Sequence, residues 1–129
     1  GLKPLIHHGP KRAAAAKWLD GADVIISTYG TVRRDVKWLR DIRWTCAVLD
    51  ESQAIKNPQS QSAKAAMLLQ ADHRLALSGT PLQNNTFDLY SQMQFLNPGL
   101  LGSREKFAVE FATPIDKFGE EDVKDGLRR

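Results

Sequence analysis

Apolar residues gather in short continuous runs, separated by segments of helical periodicity. Four runs have strand character: Leu2 to Ile6, Val24 to Ile26, Ala47 to Leu49 and Leu75 to Leu77. Val24-Ile25-Ile26 and Ala47-Val48-Leu49 do not alternate apolar with polar, which suits strands covered on both faces, as in a parallel sheet between helices. Pro10 can open a helix through Lys11 to Leu19, with Gly21 placed to stop it. Thr31 can cap a helix whose Val32, Val36 and Leu39 fall on one face. Asn57-Pro58 interrupts the next stretch, and Ala63 to Leu69 regains helical composition. Asn85 or Thr86 can cap a helix whose Leu89, Tyr90, Met93 and Leu96 share a face, and Pro98 ends it at or before Asn97.

Alternating strand and helix predicts an α/β layer architecture with right-handed crossovers. After Gly99 the pattern changes. Phe107 and Phe111 lie four apart in a helical stretch, and the charged tail Asp116 to Arg129 follows. The expected division is a sheet-bearing part, residues 1–98, and a helical C-terminal extension, residues 99–129.

Composition narrows the class without naming a function. A chain of 129 residues can bury roughly two thirds of its unfolded surface, enough for a core. With 42% hydrophobic and 26% charged residues it falls among ordinary soluble globular proteins. No apolar run approaches the ~20 residues that span a bilayer, and no signal-peptide pattern opens the chain. The single cysteine, Cys46, reads as a buried strand residue and demands no oxidising compartment, so the expectation is an intracellular protein. A net charge of +3, from 18 Lys+Arg against 15 Asp+Glu, tolerates an acidic partner without requiring one. Gly1 rather than Met opens directly on a strand-like run, as expected of an excised piece.

In open parallel sheets, ligands bind outside the carboxyl ends of the strands. Three of the apolar runs end in polar clusters: Ser27-Thr28-Tyr29-Gly30-Thr31, Asp50-Glu51, and Ser78-Gly79-Thr80-Pro81. If the strands are parallel, all three share one rim. Asp50-Glu51 can hold a hydrated magnesium ion through one carboxylate while the other orients or deprotonates an attacking water. An isolated Asp-Glu pair is more often a helix cap. The serine and threonine clusters combine hydroxyls with a helix start or a flexible turn, which suits phosphate. They read equally as a cap with a packed tyrosine and an ordinary strand exit. Arg33, Lys37 and Arg40 form a helical stripe, with Arg34 and Arg43 nearby, that fits either a phosphate backbone or a solvated face. His7, His8, His73 and Cys46 lack metal-ligand spacing and read as surface or strand-end residues; Trp18, Trp38 and Trp44 read as packing. A phosphate loop, G-x-x-x-x-G-K-[ST], is absent: Gly99 and Gly102 have neither the lysine nor a preceding strand.

The joint order of these clusters resembles the Swi/Snf-type branch of the superfamily-two helicases, in wording closest to bacterial members. Thr28-Tyr29-Gly30-Thr31 is similar to motif Ib, and Leu49-Asp50-Glu51-Ser52-Gln53-Ala54-Ile55-Lys56-Asn57 to motif II. Leu75-Ala76-Leu77-Ser78-Gly79-Thr80-Pro81-Leu82-Gln83-Asn84 resembles motif III with its family-specific extension. Leu89-Tyr90 and Phe95-Leu96-Asn97-Pro98 continue the pattern, and Phe107, Phe111 and Pro114-Ile115 look like the start of a helical protrusion. The resemblance spans essentially the whole chain.

It implies a partial RecA-like P-loop-NTPase lobe. Residues 1–98 would be the later part of the first lobe, and residues 99–129 the start of the protrusion toward the second. Asp50 would bind the magnesium of MgATP through water, Glu51 would activate the hydrolytic water, and Gln53 would couple nucleotide state to DNA. Ser78, Gly79 and Thr80 would relay between the two sites, and Thr28, Tyr29, Thr31 and Arg33 would lie near DNA phosphates. One position departs from the family: residue 52 is usually Ala or Gly in this motif, and here it is Ser. The implied activity is an ATP-driven double-stranded-DNA translocase that remodels protein–DNA complexes, in the cytoplasm and on the nucleoid of a bacterium. Motifs I and Ia and the second lobe with its arginine finger are not in this sequence. The chain alone is therefore expected to be inactive and to hold neither ATP nor magnesium. Its expected partners are double-stranded DNA and the remainder of the same polypeptide, with no membrane; the open edge of the motif III strand also invites pairing with a neighbouring copy. Two other readings stand beside this one: a non-catalytic module binding DNA or protein through the same surface, and an unrelated α/β domain whose acidic pair is a cap. The last requires that the three rims not converge.

Overall fold

The computed structural model of the chain describes residues 1–12, 16–79 and 86–112, without the side chains of Ala16, Trp18, Phe111 and Ala112. Strands β1 (Pro4–His7) and β2 (Val24–Ser27) pair in parallel, Leu5 beside Ile25 and His7 beside Ser27. Strands β3 (Arg43–Leu49) and β4 (Gln70–Ala76) form a second parallel pair, with Val48 beside Leu75 and Leu49 beside Ala76. The helices are α1 (Tyr29–Leu39), α2 (Gln61–Leu68), α3 (Thr86–Leu96) and α4 (Arg104–Phe107). Among the described residues the strands make two pairs rather than one continuous ladder, and the outer edge of β4 carries no strand.

The core lies on one side of β3. Ala47 and Leu49 point into a cluster of Ile55, Ala63, Ala66, Met67, Phe95 and Leu96, with Tyr29 packed at its margin. Residues of α1, α2 and α3 therefore share that face, with Asp35 and Trp38 of α1 also meeting His7 at the end of β1. Burying Phe95 and Ile55 completely contributes about 1.5–3 kcal/mol each. The opposite face is bare: Ile6 (74% exposed), Ile26, Val48 and Leu75 all stand in solvent. The continuous runs predicted strands covered on both sides; the described helices cover only one. Cys46 lies on the open side of β3 and is exposed, not buried.

Local chemistry accounts for most element ends and moves some of them. Helix α1 is capped by Thr28 rather than Thr31, because the Thr28 hydroxyl accepts the Thr31 amide at 3.2 Å and places Thr31 inside the first turn. The first expected helix is described only as a 3₁₀ turn over Ala16–Leu19, followed by Gly21 at φ +81, the left-handed geometry that stops it. Ser60 caps α2 through Ala63 N. Helix α3 ends at Leu96, as Pro98 dictates, but its buried face is Tyr90, Ser91, Gln92 and Phe95 rather than the apolar stripe read from periodicity. Two polar side chains sit inside because each finds a partner there. After Gly99 (φ +86) the chain turns into α4, whose Phe107 packs on Tyr90 and Phe87. Asn85, Pro114-Ile115 and the tail from Asp116 lie outside the described residues. No helix among the described residues is long and apolar enough to cross a membrane.

Candidate functional site

The carboxyl ends of β2, β3 and β4 carry Thr28-Tyr29, Asp50-Glu51 and Leu77-Ser78, and hydrogen bonds join all three. From α1 the Tyr29 hydroxyl donates to the Asp50 carbonyl at 2.7 Å. Past the end of β4, Leu77 N donates to Leu49 O and Ser52 N to Leu77 O, both at 2.8 Å, carrying the β3–β4 register into the turn after Asp50. Ser78 Oγ donates to Gln53 Oε1 at 3.0 Å, and Gln53 Nε2 donates to Glu51 Oε2. The three rims converge, which removes the reading that needed them apart.

Asp50 does not cap a helix. Among the described residues its Oδ1 accepts only the adjacent Glu51 amide, at 2.9 Å, and the cap position of the following 3₁₀ turn, Ser52–Ile55, belongs to Glu51, which makes no side-chain cap bond. Oδ2 accepts from none of the described residues, so Asp50 offers a hard, exposed oxygen at the rim. Glu51 sits in the left-handed region at φ 49, ψ 52, the only non-glycine residue with positive φ among those described. That conformation costs a residue with a Cβ about 1–2 kcal/mol and persists only where its surroundings impose it. Periodicity and composition give no sign of it. The hydroxyl of Ser52, at the family's unusual position, is fully buried and donates to Gln92 Oε1 of α3 at 2.8 Å.

Burial raises the Tyr29 phenol above its ordinary value, with the negative charges of Asp50 and then Glu51 adding to it. The phenol therefore keeps its proton and remains a donor to the Asp50 carbonyl. Thr31 is wholly buried: its hydroxyl accepts from Thr28 at 3.0 Å and lies 3.1 Å from His8 Nδ1, so it reaches the rim only through those neighbours. Arg33, Lys37 and Arg40 stand exposed along α1. Gly79 follows Ser78 at the rim and is exposed; Thr80 and the extension through Asn84 lie outside the described residues.

A second polar cluster escaped the sequence reading. His7 ends β1, as a strand-end residue, but it is buried there, 1% exposed and edge-on to Trp38. Its Nε2 donates to Asp35 Oδ2 at 2.7 Å, and Arg12 grips the same carboxylate through Nε and Nη2 at 2.5 and 2.9 Å. The Arg12 bonds hold the Asp35 carboxyl below its ordinary range, and His7 adds to that. Only proximity in the fold could have revealed it, since Asp35 is 28 positions from His7.

Among the described residues no group of three or more His, Cys, Asp or Glu forms a metal centre. The exposed Asp50 carboxylate, with Glu51 beside it, fits a different use: magnesium keeps several waters and is held by one or two carboxylates together with substrate phosphates.

Comparison with known proteins agrees with this geometry. The SNF2-related domain family matches residues 1–129. The chain is 45% identical over 116 residues to the TATA-binding protein-associated factor MOT1 of Saccharomyces cerevisiae, covering 88% of this chain and 6% of that protein. It is 38% identical over 116 residues to the human TATA-binding protein-associated factor 172, again 88% of this chain and 6% of the relative. The Sulfolobus solfataricus SWI2/SNF2 ATPase core in complex with double-stranded DNA superposes with a TM-score of 0.79 at 42% identity, covering 96% of this chain and 26% of that one. The chain thus spans a small part of its relatives' length, and its α/β architecture is that of the RecA-like SWI2/SNF2 ATPase core. With convergent strand ends, an acidic turn and a family match over its whole length, the chain belongs to the SNF2-related domain family.

Proposed function

We propose that this chain is the later part of the first RecA-like lobe of an ATP hydrolase that translocates along double-stranded DNA and remodels protein–DNA complexes. The observation that carries this reading is the hydrogen-bonded chain Glu51–Gln53–Ser78, closed on the other side by Tyr29 on the Asp50 carbonyl. It ties the acidic turn to the strand exits on both sides, so a displacement at the nucleotide is felt where DNA is held. Asp50 would hold magnesium through water, and that ion would neutralise charge on the phosphates. Glu51, fixed by the Gln53 amide, orients the attacking water and accepts its proton. Thr28, Tyr29 and Arg33 face the DNA backbone, with Lys37 and Arg40 continuing the positive stripe and Thr31 supporting Thr28 from beneath. Gly79 and Thr80 complete the relay begun by Ser78.

Residues 99–129 begin the helical protrusion in this reading. The bare face of Ile6, Ile26, Val48 and Leu75 is covered by the remainder of the parent polypeptide, which also supplies the phosphate loop and the second lobe. An arginine finger alone is worth roughly 10³–10⁵ in turnover, so the chain by itself is inactive.

The test is the Glu51→Gln variant of the parent protein. It keeps the shape and charge-free hydrogen bonding of the side chain but cannot accept a proton. Nucleotide binding in the presence of magnesium should persist, while DNA-stimulated hydrolysis falls by about 10²–10⁴. Unchanged turnover refutes the role given to Glu51. Hydrolysis by the pure chain, abolished by the same substitution, refutes its inactivity.

A further inference from the structure

The turn that carries Glu51 is fastened to α3 by a buried polar pair. Ser52 is 0% exposed and Gln92 7%, and the serine hydroxyl donates to the Gln92 amide oxygen at 2.8 Å across 40 positions of sequence. The Ser52 amide is held separately by the Leu77 carbonyl. One residue earlier, Glu51 occupies the left-handed region, where a side chain stays only under constraint. The direction of the Ser52 N–H is set by ψ of Glu51. Leu77 O therefore fixes the peptide between the two residues, and Gln92 fixes the side chain just beyond it. Ser91, the neighbour of Gln92, closes the other end of the turn by donating to the Ile55 carbonyl. Helix α3 thus grips the 3₁₀ turn Ser52–Ile55 at both ends.

We propose that Gln92 is a positioning residue for Glu51, acting through the buried hydroxyl of Ser52. The inference rests on the reading of Glu51 as the group that activates water. It assigns the two polar residues, one an unusual choice in motif II and the other unexpected on the buried side of α3, to a single device. Serine at 52 brings a hydroxyl into the core, and Gln92 supplies the acceptor that an apolar residue there would not. The pair then transmits the position of α3, and of the α4 segment packed on it through Tyr90 and Phe107, to the strained residue at the rim.

The experiment uses the full-length parent with saturating double-stranded DNA. Active sites are counted by stoichiometric titration with a fluorescent ATP analogue, so that kcat is expressed per nucleotide-binding site. Gln92→Leu leaves the Ser52 hydroxyl facing an apolar group and should lower kcat roughly three- to tenfold, the scale of one buried hydrogen bond, with KM for ATP unchanged. Ser52→Ala, the milder change, should move kcat in the same direction. The double substitution Ser52→Ala/Gln92→Leu removes both polar partners and should return kcat to within about twofold of the unsubstituted protein. A lowered melting temperature with unchanged kcat per site in both single variants reduces the pair to a packing feature and overturns the proposal. A double variant no better than Gln92→Leu shows that Gln92 does not act through Ser52 and overturns it as well. Glu51→Gln, run in parallel, separates the two levels: full turnover in that variant defeats the underlying reading of Glu51, independently of what the Ser52 and Gln92 variants do.

Discussion

Replacing Asp35 by alanine probes how the β1–β2 pair is fastened to α1. Asp35 accepts from His7 Nε2 and from two Arg12 nitrogens. His7 is almost completely buried, and its Nδ1 already lacks a partner among the described residues. Asp35→Ala leaves the whole imidazole without one, and an unsatisfied buried polar group costs about 1–3 kcal/mol. His7→Phe is the informative contrast. It keeps a ring against Trp38, whose centroid lies 5.4 Å from that of His7, and removes both nitrogens, while Asp35 retains its two bonds from Arg12. That variant should fall within about 1 kcal/mol of the unsubstituted chain. The double variant should recover most of the loss in Asp35→Ala.

Equilibrium urea unfolding, followed by tryptophan fluorescence, reads all three. Because the folded-state pKa of Asp35 is depressed, chiefly by its Arg12 hydrogen bonds, its contribution is fully present above the unfolded carboxyl value of about 3.9 and disappears as pH falls through the lower folded value. The gap between Asp35→Ala and the unsubstituted chain should therefore narrow in acid. Equal losses in His7→Phe and Asp35→Ala, or a gap that widens below about pH 4, would refute the reasoning.

Other perturbations test other parts of the structure. Phe95→Ala empties the centre of the core and removes the ring under the Arg74 guanidinium, 4.9 Å from its centroid; urea unfolding should show a loss of about 3–5 kcal/mol. Thr28→Ala deletes the α1 cap and should cost about 1 kcal/mol, with faster amide hydrogen exchange at Thr31. Ultraviolet titration should find a phenol ionising above the usual value of about 10 that is missing from Tyr29→Phe, and its shift should shrink in Glu51→Gln as a nearby negative charge is removed.

Much of this protein could be read one residue after another. Short apolar runs bounded by polar clusters, and a Pro98 that no helix can continue past, are local signals, and strand and helix form from local chemistry. The acidic pair was legible for the same reason: it directly follows a strand, and its order among the other clusters is a property of sequence. Even so, the choice of Thr28 over Thr31 as cap turned on which hydroxyl could meet which amide, and the sequence offers both.

What only the tertiary structure decided are the contacts that bridge long separations. His7 is buried and Cys46 exposed because α1, α2 and α3 pack on one side of the strands, which no single run of residues announces. Glutamine on α3 looks like a solvent-facing residue until Ser52 arrives from 40 positions away to pair with it. Glu51 takes a left-handed conformation that its own side chain disfavours, because Leu77 and Gln92 constrain the residue after it. Sequence determines what each group can donate, accept or bury. Which partner it meets is set by the folded chain, since burying a polar atom costs too much unless a distant segment brings its complement.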